Sequence, residues 1–132
     1  MCVPEATVLL VDDDAVQAAT RQAILSRAGY HVIAALDPAR ALEQFRLNTF
    51  SFDIRLVITD HVMAAMSGAE FVRELRTMRP CLPVLVVSGM PDAEAEYQGL
   101  EVEFRVKPLM PDLLLQYVHR LAHEPLRGTL SL

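Results

Sequence analysis

The chain is expected to fold as an α/β domain, a flavodoxin-like doubly wound sheet of five parallel strands with helices on both faces. Two observations predict it. Short apolar runs alternate with amphipathic segments along the whole 132 residues, the pattern of a parallel sheet joined by helical crossovers. Four of the runs also end in chemistry-bearing residues: Asp12-Asp13-Asp14, Asp60, Ser88-Gly89 and Lys107-Pro108. In a parallel sheet all carboxyl ends share one edge, where open α/β folds place their ligands.

Each element has its own signal. Residues 6–11 read as a strand, and 14–28 as a helix capped by Asp13 or Asp14, with Val16, Ala19 and Ala23 on its inner face and Gly29 at its end. His31 to Ala35 reads as the second strand. Asp37-Pro38 is an N-cap followed by Pro at the first helical position, and the helix runs to Leu47 with Ala41, Leu42 and Phe45 buried. Asn48 to Asp53 is a loop. Residues 54–59 form the central strand. Ser67-Gly68-Ala69-Glu70 is a capping box, opening a helix with Phe71, Val72, Leu75 and Met78 on one stripe, which Pro80 stops. Residues 82–87 and 101–106 read as strands, with room only for a short helix at Asp92 to Gln98. Pro111-Asp112 opens a last helix carrying Leu114, Val118 and Leu121. Right-handed crossovers leave few topologies, and strand order 2-1-3-4-5 is a common one. It puts the ends of strands 1 and 3 side by side at the switch point.

Composition bounds the function. Apolar residues are 52% and charged residues 22% of the chain, which suits one packed domain. We divide it into an extension at 1–5, a domain at 6–122 and a tail at 123–132. The net charge of −5 argues against a nucleic-acid surface. Two cysteines, Cys2 and Cys81, make no disulfide framework. Without a signal-peptide pattern or a membrane-length apolar run, a soluble, cytoplasmic protein is expected.

Four carboxylates, a hydroxyl and an ammonium on one edge suggest a site for a cation and a phosphoryl group. Clustered carboxylates repel, so their ionised forms need outside positive charge. Mg²⁺ takes oxygen ligands and is usually held by one or two carboxylates plus waters and phosphate oxygens. Asp13 and Asp60 are the candidates for direct ligation, Asp12 for ligation through water, and the Val62 carbonyl lies within reach. A carboxylate can itself attack phosphorus, and such transfer needs mainly positioning and cations. Lys107 can hold one phosphoryl oxygen and Ser88 can donate to another. Asp14, Asp37 and Asp112 are better read as helix-start residues. His61 is expected to face solvent. His119 and His123, four apart, lack a third metal ligand and read as a solvated helix end. Arg73, Arg76 and Arg79 read as a solvent-facing stripe, and Met63 and Met66 as core plugs under the Asp60 loop.

Over residues 6–122 these features resemble the receiver domain of bacterial two-component response regulators. Val11-Asp12-Asp13 is similar to its acidic pair, and Thr59-Asp60 through Ser67-Gly68 to its phospho-acceptor loop. Val86-Val87-Ser88-Gly89 is similar to its switch-hydroxyl strand, and Phe104-Arg105-Val106-Lys107-Pro108 to its aromatic-switch, lysine and cis-proline segment. The resemblance implies that Asp60 accepts a phosphoryl group from a histidine kinase or histidine phosphotransfer protein. It places Mg²⁺ on Asp12, Asp13, Asp60 and the Val62 carbonyl. It makes Ser88, Lys107 and Phe104 the phosphate-binding and switch residues and Pro108 a cis-proline. The implied activity is self-phosphorylation and self-dephosphorylation only, with no substrate turnover, no direct contact with nucleic acid or membrane, and a homodimer permitted. Val62 and Met90 occupy positions that influence water access, so slow self-hydrolysis is expected.

Three departures stand out. Ala64 replaces the family's usual Pro, the loop before strand 54–59 is extended, and the Ser88–Lys107 segment is short. The last resembles receivers attached to hybrid histidine kinases, and no output domain is expected in the ten residues after Ala122. Two other readings compete. Asp12-Asp13-Asp14-Ala15-Val16 also resembles the first motif of haloacid-dehalogenase-type phosphatases, with Asp12 as nucleophile. A pseudo-receiver that only binds proteins is the other.

Overall fold

The computed structural model describes residues 6–123. The extension at 1–5, Cys2 included, and residues 124–132 of the tail lie outside them. The strands are β1 (Thr7–Val11), β2 (His31–Ala35), β3 (Ile54–Asp60), β4 (Val84–Ser88) and β5 (Glu103–Val106). They form one parallel sheet in the order β2-β1-β3-β4-β5. The helices are α1 (Ala15–Arg27), α2 (Pro38–Leu47), α3 (Gly68–Met78) and α4 (Pro111–His123), with a 3-10 helix at Pro91–Tyr97 between β4 and β5. No helix among the described residues is long and apolar enough to cross a membrane.

The inner strands β1, β3 and β4 are buried on both faces, because helices cover each face, while the edge strands β2 and β5 are only partly covered. Val8 and Leu10 of β1, with Leu56 and Ile58 of β3, join Ala18 and Leu25 of α1 and Leu114, Val118 and Leu121 of α4. Leu9, Val11 and Val57 face the other way, toward Ala41, Leu42 and Phe45 of α2 and Phe71, Val72 and Leu75 of α3. The arrangement holds β1 and β3 at the centre, so their carboxyl ends meet in the middle of the edge.

Local chemistry sets the helix starts. Asp14 caps α1, accepting from the Val16 and Gln17 N–H groups. Asp37 caps α2 ahead of Pro38. Ser67 and Glu70 form the complete capping box of α3. The last helix begins at Pro111 with Asp112 in its first turn, and it continues through His123, one residue into the expected tail.

The structure corrects several expectations. The inner face of α1 is Ala18 and Leu25; Val16 is 76% exposed, and Ala19 and Ala23 face solvent. An alanine-rich helix gives a weak directional signal, since exposing or burying a methyl group changes little. Helical residues do follow Ser88, but they form a 3-10 helix that buries Ala93 and Tyr97. Strand β5 starts two residues late, because Glu101 takes a left-handed turn at φ 56°. Of the arginine stripe, Arg73 is exposed as expected, but Arg76 and Arg79 are not solvent-facing. Arg76 donates to the backbone carbonyls of Leu100, Arg79, Leu82 and Glu101 at 2.6–3.0 Å, tying the end of α3 to the entries of β4 and β5. Arg79 lies over the Phe45 ring.

Candidate functional site

Strand β3 delivers Asp60 to the edge with only 4% of the residue exposed. Its Oδ1 accepts from the His61 N–H at 2.9 Å. Its Oδ2 accepts from Lys107 Nζ at 3.0 Å and from Gln17 Nε2 at 3.3 Å. Lys107 stands just past β5, with its N–H on the Ser88 carbonyl at 2.7 Å. The Lys107–Pro108 peptide is cis.

Asp12, past the end of β1, is fully buried. Its Oδ1 accepts from the Asp14 N–H at 2.9 Å, and its Oδ2 faces Arg21 Nη1 at 3.4 Å. Burial raises the Asp12 pKa above the usual carboxylate value, and the Asp60 charge adds to it; the Asp14 N–H, Arg21 and Lys107 oppose the rise. The two buried carboxylates therefore sense each other across the switch point. Asp13 is exposed and turns to the loop that follows Asp60, taking the Ala64 N–H at 2.7 Å. Val62 is also exposed in that loop.

Ser88 and Phe104 lie on the neighbouring strands β4 and β5. Ser88 is fully buried at the end of β4, where its hydroxyl is engaged with Met90, accepting from the N–H at 2.9 Å. Phe104 is already inside, 7% exposed, with its ring 5.6 Å from that of Tyr97. Met63 is buried and Met66 packs against the same cluster, as core plugs should. His119 and His123 are exposed at the end of α4.

Three features escaped the sequence reading. His61 does not face solvent: it is 5% exposed, its Nδ1 lies 2.7 Å from the Tyr97 hydroxyl, and its Nε2 lies 3.5 Å from Glu96. The reason is a polar partner 36 residues away that makes burial of the ring tolerable. Gln17 and Arg21 also reach the site. They stand one turn apart on α1, three and seven residues beyond the Asp14 cap, and counting from that cap could have found them.

The donors here are hard oxygens plus an ammonium, which suits a small divalent cation and a phosphoryl group rather than a soft metal. Among the described residues no three or more His, Cys, Asp or Glu side chains are grouped to hold a metal unaided. Asp13 and Asp14 are turned to backbone N–H groups instead.

Such a fold with buried carboxylates and a lysine at its switch point defines a class: doubly wound α/β domains with an acidic edge. The particular family follows from comparison with known proteins. The response regulator receiver domain matches residues 8–119, and the chain belongs to that family. It is 34% identical over 120 residues to the transcriptional regulatory protein ZraR of Klebsiella oxytoca, covering 88% of this chain and 26% of that protein. The chain thus spans about a quarter of the length of that curated relative. Among solved structures, chemotaxis protein CheY4 of Vibrio cholerae is similar, with TM-score 0.76, 29% identity, and 88% and 98% of the two chains covered. The receiver domain of the hybrid histidine kinase CckA is similar too, with TM-score 0.72, 26% identity, and 89% and 99% covered.

Proposed function

We propose that Asp60 accepts a phosphoryl group from a phosphohistidine, on a histidine kinase or a histidine phosphotransfer protein, and that the acyl phosphate switches a partner-binding face. One observation carries the reading: the Lys107 ammonium sits on Asp60 Oδ2 at 3.0 Å, beside a second buried carboxylate. An Asp60 oxygen forms the new bond to phosphorus while the P–N bond of the donor breaks and its electron pair returns to the imidazole. Lys107 is placed to follow the charge from the carboxylate to the phosphoryl oxygens. The buried Asp12 and Asp60, the exposed Asp13 and the Val62 carbonyl would hold Mg²⁺. Their oxygen chemistry fits, since that ion asks for one or two carboxylates and keeps its waters. When bound, it would neutralise charge on the transferring group.

The switch follows from the added charge, about −1.5 to −2 at neutral pH. Ser88 would exchange Met90 for a phosphoryl oxygen. Phe104 packs on Tyr97 of the 3-10 helix, so a shift at Ser88 would be felt on the face made by that helix, β5 and α4. A cytoplasmic location suits such a relay. The phosphatase reading fares worse, because it gives no role to Asp60, the carboxylate on which the Lys107 ammonium sits at 3.0 Å.

The test is intact mass after incubation with acetyl phosphate, with and without Mg²⁺. The parent chain should gain one phosphoryl group only with the metal. Asp60→Asn should gain none, and Asp14→Asn should behave as the parent. Equal loss in both variants would overturn the assignment.

A further inference from the structure

We propose that Gln17 and Arg21 of α1 are a built-in stand-in for the divalent cation, and that Arg21 must release Asp12 for a metal to bind. The inference rests on the metal site proposed above. Arg21 Nη1 is 3.4 Å from Asp12 Oδ2, and its Nη2 is 3.3 Å from Gln17 Oε1. Gln17 Nε2 in turn is 3.3 Å from Asp60 Oδ2. The two side chains therefore run as one chain of hydrogen bonds across both buried carboxylates. No other α1 side chain is hydrogen-bonded to these two groups among the described residues.

Charge balance explains why such a bridge exists. Among the described residues the three carboxylates Asp12, Asp13 and Asp60 have two ion-pair partners, Arg21 on Asp12 and Lys107 on Asp60, so one negative charge is left over. Without Arg21 the buried Asp12 would lack an ion-pair partner, which is costly. A divalent ion with Arg21 still in place would overshoot to net positive, whereas its departure brings the cluster to neutrality. Arg21 is also able to leave. Its contact is longer than the 3.0 Å pair of Lys107. It lines a groove of about 560 Å³ with Val16, Thr20, Ile24 and Leu109, into which the guanidinium can swing.

The geometry makes Arg21 a competitor of the metal. Arg21→Met, which keeps the apolar stem, should bind Mg²⁺ about three- to tenfold more tightly than the parent, from the worth of one partly buried ion pair. The measurement is isothermal titration of MgCl₂ into the full chain at fixed ionic strength. Arg27→Met, in the exposed last turn of α1, serves as the charge control and should bind like the parent. The rise in melting temperature on adding Mg²⁺ should likewise be larger for Arg21→Met. Equal or weaker binding by Arg21→Met, or equal tightening in Arg27→Met, would overturn the competition. Labelling of Asp60 in the parent alongside such a result would leave the phospho-acceptor reading standing. Tighter Mg²⁺ binding by Arg21→Met, alongside a parent that acetyl phosphate never labels, would support the competition while sinking the acceptor reading. Failure of every chain to bind Mg²⁺ would overturn both.

Discussion

Gly68 opens α3 directly beneath the loop that follows Asp60, and replacing it with Ala should loosen that loop measurably. A Cβ there would meet the Tyr97 hydroxyl, the Asp60 carbonyl oxygen at 2.5 Å and the His61 Cα at 3.0 Å. Two of these are backbone atoms, which cannot rotate away. Overpacking of this kind costs about 1–3 kcal/mol. Pushing these segments apart also strains the Gly68 N–H bond to the His61 carbonyl, now 2.7 Å, worth about 0.5–1.5 kcal/mol. The helix propensity of Ala returns at most about 1 kcal/mol, and less at a first helical residue. The terms sum to a net loss between about 0.5 and 4.5 kcal/mol, centred near 2–3 kcal/mol. For a domain of this size that lowers the melting temperature by roughly 6–15 °C, read by circular dichroism. Gly89→Ala is the control: nothing lies within 4 Å of its added Cβ, so it should be neutral or gain about 0.4–1 kcal/mol. A Gly68→Ala melting point indistinguishable from the parent's would refute the close-approach argument. So would an equal fall for Gly89→Ala.

Other perturbations give separate tests. Arg76→Met should destabilise by about 2–4 kcal/mol in urea unfolding, because several carbonyls lose a charged donor at once; a loss within the scatter of surface substitutions would refute its structural role. Burial, then the nearby Glu96 and Asp60 charges, holds the Tyr97 phenol above its usual value of 10.0. The folded state therefore keeps that proton more tightly than the unfolded one. The stabilisation is complete below pH 10 and drains as pH rises beyond it, so the parent should lose stability relative to Tyr97→Phe in alkaline unfolding series; parallel curves would contradict this. Lys107→Ala should still bind Mg²⁺ in a titration yet give no phosphorylation-dependent change in the amide NMR spectrum of β5 and α4. An unaltered response would remove Lys107 from the switch.

Much of the fold was legible because its signals are local. Asp37-Pro38 and the Ser67–Glu70 box fixed two helix starts to the residue, and the apolar runs placed all five strands within about two residues. The juxtaposition of Asp12, Asp60 and Lys107 followed from topology, since strand order alone puts those ends together. What stayed hidden depends on distant partners. His61 reads as a surface residue until Tyr97 is known to meet it. Arg76 reads as solvated until four backbone carbonyls converge on it. The orientation of α1 was misjudged because alanine carries little hydrophobic weight, and with it went Gln17 and Arg21, whose direction depends on that rotation.

Borohydride reduction of the acetyl-phosphate-treated chain, followed by peptide mapping, bears most directly on the central claim. An acyl phosphate is reduced where it stands, so the altered residue marks the acceptor. The expected result is a single change at Asp60, dependent on Mg²⁺ and absent from Asp60→Asn. A change at Asp12 or Asp13 instead, or none in the presence of the metal, would contradict the account.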